Sequence, residues 1–315
     1  MKKIYDLIII GAGPAGMTAA IYAARRKIKF LVIGLALGGQ MSWSSDVGNY
    51  PGYTTMTGIE LTKRFQESLK EYNIQIKPEE VIDIKKESKI FRVKTKENDY
   101  KTISIIIASG KKPKKLGVPG EEEFLGKGVS YCAVCDSHLF TNKEVAVIGG
   151  GNSAMDASIM LSKYAKKVYL IDINPKLGGE PHLRESVFKN KKIKIIQSAK
   201  TTKIFGDETV KGLNYIQGNK EKTLKIDGIF IEIGLVTNTD FARIVKKNKW
   251  NEIKIFRSTR TNDENLTNIP GIFAAGDVTD IPAKQIIVAA GEGAKAALAC
   301  FDYLEKYKTK NEKFI

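Results

Sequence analysis

Lys3-Ile4-Tyr5-Asp6-Leu7-Ile8-Ile9-Ile10-Gly11-Ala12-Gly13-Pro14-Ala15-Gly16 opens the chain, and the reading of this stretch decides the reading of the rest. Lys3 to Ile10 is an isoleucine-rich run interrupted only by Asp6, the pattern of a parallel strand buried on both faces. A glycine-rich turn follows, then an alanine-rich helix to about Lys27 and a second strand over Ile28 to Ile33. Strand, G-x-G-x-x-G turn and helix in that order form a dinucleotide-binding unit. Gly11 permits the turn, Gly13 lets the backbone approach a pyrophosphate, and Gly16 lets the helix pack on the strand. The helix amides at this end point at the phosphates.

The pattern recurs. Glu144-Val145-Ala146-Val147-Ile148 leads into Gly149-Gly150-Gly151-Asn152-Ser153-Ala154, then a helix to about Tyr164 and a strand over Lys167 to Ile171. Alanine is tolerated at the last motif position. Alternating strands come next, Val81 to Thr95 in the first half, and Ile193 to Phe205 with Val210 to Ile216 in the second. Each half closes on an apolar strand and a glycine, Ile103 to Gly110 and Gly228 to Gly234. The expectation is an α/β protein of two Rossmann-like domains, each a parallel sheet with helices plus a small antiparallel β-meander. The copies differ where an adenosine ribose is held. An acid about twenty residues after the glycines accepts the ribose hydroxyls. The second copy offers Asp172; the first has Ile33-Gly34 and no acid. A strand-end aspartate also serves as a local cap, so Asp172 carries both readings.

The 315 residues suffice for two domains at roughly 100–200 residues each. A composition 43% hydrophobic and 27% charged excludes wholesale disorder and a multi-span membrane protein. Three cysteines are too few for a disulfide-stapled secreted scaffold. Leu7 to Ala24 carries no charge and has the length of a membrane span, but Gly11, Gly13, Pro14 and Gly16 break it. A cytoplasmic protein without a membrane segment is therefore expected. Lysine and arginine number 51 against 35 acids, a net charge of +16. Such a surface is well solvated and also attracts acidic partners. Nucleic acid is not an expected partner: there is no zinc-finger spacing, no RNA-binding aromatic motif and no basic block with interleaved aromatics.

Between the two glycine motifs lies Cys132-Ala133-Val134-Cys135-Asp136. Beside βαβ patterns, C-x-x-C reads as a redox dithiol. One thiol can attack a partner disulfide while the other resolves the mixed disulfide, and Asp136 can shuttle the proton. Zinc is the competing reading, since Cys132, Cys135 and His138 make C-x-x-C-x-x-H, with His182 or Cys300 as a fourth ligand. Cys300, in an alanine-rich stretch, otherwise reads as a small core residue. Near the C terminus, Asn268 to Asp277 is a turn, a short strand and an acid, and Lys284-Gln285-Ile286-Ile287 opens a helix to about Lys306. An acid followed by a helix N terminus suits a cofactor with hydroxyls and a partly anionic ring.

Together these residues resemble the low-molecular-weight thioredoxin reductases, over essentially the whole chain and in order. The matches are Gly11 to Gly16, Gly38-Gly39-Gln40, Asn49-Tyr50-Pro51-Gly52, Ala108-Ser109-Gly110, Cys132 to Asp136, Gly149 to Ala154 and Ala274 to Asp277. The resemblance implies FAD in a discontinuous domain, residues 1–114 and 242–315. It implies a smaller inserted domain, residues 115–241, that carries C-x-x-C and rotates. Cofactor contacts are implied for Gly11, Gly13, Pro14, Ala15 and Gly16, for Ile33, Gly34, Gly39, Gln40 and Asn49, and for Val81, Ala108 and Gly110. Asp277 is implied on the ribityl chain and Gln285-Ile286 at the flavin ring, with Lys284 beside them. Cys135 is implied nearest the flavin, with Cys132 attacking the disulfide of thioredoxin or a glutaredoxin-like protein. A homodimer is implied as well. Gly149, Gly151, Asn152, Ser153, Ala154 and Asp172 then form a second nucleotide site, either working or vestigial.

The chain departs from the family in three places. Ser137-His138 follows C-x-x-C-D, where the family has glycine and a bulky residue. NADPH-dependent members carry a His-Arg-Arg cluster and a further arginine after the second strand of the inserted domain; here the chain reads Asp172-Ile173-Asn174-Pro175-Lys176. A carboxylate there repels a 2′-phosphate and favours a free hydroxyl. Lys284 to Ala297 is similar to the corresponding helix of the alkyl hydroperoxide reductase flavoprotein, an NADH enzyme. The expected electron donor is therefore NADH, or an acidic ferredoxin drawn to the basic surface, with NADPH disfavoured. The expected activity is FAD-dependent reduction of thioredoxin or a glutaredoxin-like protein. The alternatives are an NADH-dependent peroxiredoxin reductase or NADH oxidase, and a zinc-holding nucleotide-binding regulator. Lys306 to Ile315 is expected to fray; within it Tyr307 or Phe314 would cover the flavin or anchor the terminus.

Overall fold

In the computed structural model of the chain, residues 4–44, 47–258 and 263–312 are described. The chain divides into two compact units, Met1–Lys112 with Val236–Ile315, and Pro113–Leu235. The first begins with strand β1 (Ile4–Ile10), helix α1 (Pro14–Arg25) and strand β2 (Phe30–Ile33). Helix α2 (Gly58–Glu71) follows, opened by a reciprocal box in which Glu60 N donates to Thr57 Oγ1 (3.2 Å) and Thr57 N to Glu60 Oε2 (2.8 Å). Strands β3 (Ile76–Lys77), β4 (Val81–Glu87), β5 (Ile90–Thr95) and β6 (Asp99–Ile107) complete this stretch. Strand β7 (Lys111–Pro113) leads out of it.

The second unit runs β8 (Val129–Ser130), α3 (Ala133–Asp136), β9 (Glu144–Ile148), α4 (Asn152–Ser162), β10 (Lys167–Ile171), α5 (Pro181–Lys189) and β11 (Ile193–Ile196). A meander of β12 (Ala199–Gly206), β13 (Val210–Gln217) and β14 (Lys220–Lys225) precedes β15 (Gly228–Ile231). The chain returns through β16 (Leu235–Thr237), which pairs with β7, and ends on β17 (Ile272–Ala274) and α6 (Ile286–Glu312).

The sheet of the first unit has the order β3-β2-β1-β6-β5-β4, with β17 also paired to β6. β6 serves two neighbours along one edge: its first half pairs antiparallel with β5 and its last three residues pair parallel with β17. Alternation on β1 explains the layering. Leu7 and Ile9 pack among Ala20 and Ala296, while Ile8 and Ile10 pack with Ile84 and Val93 of the meander. The second unit repeats the device. Val145 and Val147 pack with Ala154 and Leu161, and Ala146 and Ile148 with Ile204 and Leu213. Its parallel sheet has the order β11-β10-β9-β15-β8, with β12-β13-β14 as a separate antiparallel sheet. This is the α/β architecture of two Rossmann-like folds.

Three local expectations need correction. Ile193 to Phe205 is not one strand: it breaks at Ser198, which takes a φ of +51°, and its halves join different sheets. Helix α5 adds an element not expected from the sequence, because only Leu183 and Val187 mark its buried side. The tail does not fray where it is described; α6 continues to Glu312. Tyr307 lies 6.3 Å from the Tyr303 ring, and its hydroxyl donates to the Lys89 carbonyl (3.4 Å). Helix of about 30 Å separates it from Ile286. Tyr307 therefore anchors the far end of α6, while Phe314 lies outside the described residues. Among the described residues no helix is long and apolar enough to cross a membrane.

Candidate active site

The β1–α1 turn of the first unit is shaped by two kinds of glycine. Gly11 has φ +118°, and a Cβ there would lie 2.1 Å from the Ala108 carbonyl oxygen at the end of β6. A Cβ on Gly16 would meet the Gly11 oxygen at 1.9 Å. These two are demanded by the protein itself. Gly13 is different: its backbone is extended, and the nearest atom to an added Cβ is Gly38 O at 3.8 Å. Gly13 is also the N-cap of α1, with Pro14 and Ala15 next, and no side chain caps this helix end. Open ground over a glycine beside uncapped amides fits a pyrophosphate. Gly38 N donates to Ala12 O (2.8 Å) and Gly11 N to Ile33 O (2.7 Å), which draws the loop before Gly39 and the end of β2 against the turn, while Gly34 N donates to Lys77 O (2.9 Å) of β3. The side chains of Ile33 and Val81 are buried together in the core.

Residues remote in sequence meet before α6. Asn49 Nδ2 donates to Gln285 Oε1 (3.0 Å), and the Gln40 side chain hydrogen-bonds the Asp277 carboxylate. Lys284 Nζ donates to the Asp277 carbonyl (3.4 Å) and pairs with Glu252 (3.3 Å), which also takes Lys111 (3.2 Å). Burial pushes the Asp277 carboxyl up, against the pull of Lys284, Lys111 and Gln40. Burial also acts on Glu252, but hydrogen bonds from Asn248, Lys111 and Lys284 outweigh it and hold that carboxyl below its ordinary value. Gly110 has φ +61° and approaches Gln40, and Ile286, the first residue of α6, packs on the core. Lys111 and Glu252, 141 residues apart, belong to no motif, so the sequence carried no signal for them.

In the second unit Cys132 and Cys135 form a disulfide with their Cα atoms 5.3 Å apart. Cys132 caps α3, and Cys135 N donates to Cys132 Sγ (3.2 Å). After reduction the same N–H favours the thiolate at Cys132. Ser130 Oγ donates to Asp136 Oδ2 (2.6 Å) and accepts from Cys132 N (3.0 Å), which ties the acid to the backbone of the dithiol. Glu121, 2% exposed, accepts from Leu116 N (2.7 Å), Gly117 N (2.6 Å) and the Tyr131 hydroxyl (2.6 Å). Burial and then this hydrogen bond push the Tyr131 phenol well up, and the residue before Cys132 is held in place. The hydroxyl two residues before Cys132 was a legible signal for Ser130; Glu121 had none.

Ser130→Ala is expected to slow alkylation of the reduced dithiol by about tenfold and to displace its pH profile, with Ser130→Thr restoring most of both. Iodoacetamide labelling across pH measures it. A merely structural role would lower the yield of folded protein and leave the profile in place.

The disulfide occupies both sulfurs of the zinc reading, and among the described residues no three His, Cys, Asp or Glu side chains are gathered as a metal would need. His138 is exposed, and His182 stands beside Glu180 (3.4 Å). Cys300 is fully buried, with Sγ 3.1 Å from Ser104 Oγ and its thiol pushed up by burial to about 12, as an inert core residue.

The second glycine motif has its own strained position, Gly149 at φ +133°, where a Cβ would lie 2.2 Å from Glu232 O. Gly151 faces open space, Asn152 and Ser153 are exposed, and Ala154 is buried against the sheet. Asp172 is 3% exposed. Its Oδ1 accepts from Asn174 N (3.3 Å) and Nδ2 (3.2 Å), while Oδ2 has no hydrogen-bond partner among the described residues. A Cβ on Gly150 would fall 1.9 Å from that oxygen, so it is aimed at the glycine loop. Asp172 is at once a local cap and an acceptor suited to a hydroxyl. Burial and then the Asp156 charge raise the Glu232 carboxyl beside this loop to about 7.

Fold and site together define an oxidoreductase class: two dinucleotide-binding folds, the second carrying a C-x-x-C disulfide. A model of the pyridine nucleotide-disulphide oxidoreductase family matches residues 5–294, and the chain belongs to that family in its thioredoxin-reductase-like form. It is 40% identical to the thioredoxin reductase of Bacillus subtilis over 315 residues, 97% of this chain and 96% of that one. An alkyl hydroperoxide reductase of Staphylococcus epidermidis is 39% identical over 309 residues, 96% of this chain, and the chain spans 60% of its length. The crystal structure of Lactococcus lactis thioredoxin reductase in its FR conformation superposes with a TM-score of 0.84 at 36% identity, covering 96% of this chain and 99% of that one. A ferredoxin-flavin thioredoxin reductase from Clostridium acetobutylicum gives 0.55 at 33% identity, covering 98% and 99%.

Proposed function

We propose that the protein is an FAD-dependent dithiol–disulfide oxidoreductase that reduces thioredoxin or a glutaredoxin-like protein, with an electron donor other than NADPH. The observation that carries this is the Cys132–Cys135 disulfide, with Cys132 Sγ held by Cys135 N and Asp136 held by Ser130. The discontinuous unit would hold FAD, with Gly11 to Gly16 at the pyrophosphate, Asp277 and Gln40 at its hydroxyls, and Asn49, Lys284, Gln285 and Ile286 at the ring end. Bound FAD would supply the two electrons that open the disulfide. The S–S bond breaks to a thiol and a thiolate, and Cys135 N–H favours the thiolate at Cys132. That thiolate attacks one sulfur of the partner disulfide, and the other partner sulfur leaves as a thiolate. The Cys135 thiol passes its proton through the Asp136 carboxylate to that sulfur and, as a thiolate, attacks Cys132 Sγ; the second partner sulfur leaves and takes a proton from water, so that the intramolecular disulfide is restored and the partner is released as a dithiol. The same reading includes a cytoplasmic homodimer.

For the donor, the buried Asp172 supports NADH over NADPH, because a second negative charge there repels a 2′-phosphate. Ferredoxin is the second reading, supported by the net charge of +16 and by the similarity to the ferredoxin-flavin thioredoxin reductase. The similarity to the alkyl hydroperoxide reductase supports a peroxiredoxin as an alternative acceptor. Anaerobic stopped-flow bleaching of the flavin by NADPH, NADH and reduced ferredoxin, at low and high salt, tests the donor. NADPH is expected to be at least about tenfold less efficient than NADH, a difference of ~1.4 kcal/mol. Rapid saturable bleaching by micromolar NADPH would sink the Asp172 argument, and salt-sensitive bleaching by ferredoxin alone would assign the donor to ferredoxin.

A further inference from the structure

We infer that Glu232 is a specificity-determining residue of the second glycine loop, where a pyridine nucleotide binds together with a proton; the inference rests on the NADH reading above. Glu232 follows directly on β15, which lies between β8 and β9 in the sheet. Its N donates to Ile148 O (2.8 Å) at the end of β9, and its carbonyl oxygen is the atom that a Cβ on Gly149 would meet at 2.2 Å. The Glu232 backbone is thus one wall of the glycine turn.

Alternation along the strand sets the direction of the side chain. Phe230, two residues earlier, is fully buried and packs with Ala154 and Met155 of α4, whereas Ile229 and Ile231 pack with the meander. Glu232 shares the face of Phe230, which α4 covers. The charge of Asp156 reaches its carboxyl from that helix. Asp156 stands four residues after Asn152, the first residue of α4, and therefore on the same side of the helix, one turn of about 5.4 Å from its start.

Two observations make this helix start a place for a ligand. The N-cap of α4, Gly151, provides no side chain, and nothing lies within 4 Å of a Cβ added to it. Asp172 Oδ2, buried and without a partner among the described residues, is aimed into the same loop. A diphosphate on the free amides would bring its charge within about a turn of the Glu232 carboxyl. Among the described residues that carboxyl forms no hydrogen bond or ion pair. The ionisable groups around it are Asp156 on α4, Asp172 at the end of β10 and Asp136, which Ser130 of β8 holds; none is a cation. His138 and His182, the two histidines of the chain, are exposed. Ionised Glu232 repels the diphosphate; with a proton taken from solvent it does not, and its O–H becomes a donor. Burial and Asp156 place the group at about 7, so both forms are present near neutral pH. Asp172 discriminates against a 2′-phosphate alone, whereas Glu232 acts on every pyridine nucleotide through its diphosphate.

Calorimetric titration of the FAD-loaded protein with ADP-ribose at pH 6, 7 and 8, in buffers of different ionisation enthalpy, tests this in the unaltered chain and in Glu232→Gln, which keeps the shape and cannot ionise. Flavin absorbance and melting temperature check the folding of both. The unaltered chain is expected to bind about tenfold more weakly at pH 8 than at pH 6, because only the protonated fraction is competent, and to take up nearly one proton at pH 8. Glu232→Gln should bind at pH 8 about tenfold more tightly than the unaltered chain, without that slope and without the proton. A gain of at least about threefold at pH 8 with loss of the proton supports the inference. A smaller gain, a slope and proton count equal in the two proteins, or no measurable binding in either overturns it. Uptake below about half a proton by the unaltered chain at pH 8 overturns it as well, whatever the variant does. Flavin bleaching by NADH on the same preparations reports the donor separately. Proton-linked ADP-ribose binding that Glu232→Gln uncouples, without bleaching by NADH, would sink the NADH reading and leave the role of Glu232 standing. Bleaching by NADH with ADP-ribose binding indifferent to pH and to Glu232→Gln would do the reverse.

Discussion

Cys132→Ser and Cys135→Ser are each expected to lower thioredoxin reduction by roughly a thousandfold or more, because the two sulfurs act as one unit and neither step proceeds with one alone. The variants should fail differently. With Cys135→Ser the Cys132 thiolate still attacks the partner, but nothing resolves the product, so a mixed disulfide accumulates and is visible on a non-reducing gel. Cys132→Ser loses the thiolate that Cys135 N–H supports and should trap little partner. Both should keep FAD, since every residue proposed to hold it belongs to Met1–Lys112 with Val236–Ile315, while the dithiol belongs to Pro113–Leu235. Near-normal turnover in either variant would remove the dithiol from the mechanism, and trapping by Cys132→Ser in place of Cys135→Ser would exchange the two roles.

Gly13→Val is expected to abolish FAD retention without unfolding the protein. The reasoning turns on what each glycine of the first motif touches. Gly11 and Gly16 have no room for a Cβ because protein backbone lies within 2.1 Å and 1.9 Å of it, so substitutions there damage the fold and report nothing about a cofactor. Gly13 has φ −82° and ψ −174°, a conformation open to any residue, and no atom closer than 3.8 Å to an added Cβ. Nothing in the protein requires a glycine at that position; a pyrophosphate would. Purified Gly13→Val should melt within a few degrees of the unaltered apoprotein yet bind FAD at least about a hundredfold more weakly, some 2.7 kcal/mol. Gly11→Val should lower the melting temperature sharply. Retention of stoichiometric FAD by Gly13→Val would remove the pyrophosphate from this turn.

How much of this was legible in the sequence follows from the range of the forces involved. Two strand–glycine–helix units could be read directly, because a β-branched run, a glycine that must take positive φ and an alanine-rich helix act within a few residues of one another. C-x-x-C-D was legible for the same reason: its chemistry needs only three-residue spacing. Ser130, two residues before Cys132, is a signal within the same reach, and the direction in which Asp136 points gives its hydroxyl a role.

Tertiary structure alone decided the rest. Asn49 meets Gln285 across 236 residues, and Lys111 and Lys284 converge on Glu252, because the order of strands in the sheet brings those loops to one place. Alternation in Ile193 to Phe205 showed buried faces but could not say that two different sheets bury them. The lysine-rich tail had the composition of a frayed end, yet Tyr307 finds Tyr303 on the turn before it and the Lys89 carbonyl on the meander. Glu232 had no sequence signature, since what its carboxyl faces depends on which helix covers that side of β15. Local sterics and periodicity are written in neighbouring residues and determine which elements form; which side chains then meet depends on sheet order and loop path, and these are settled only when distant surfaces are buried against one another.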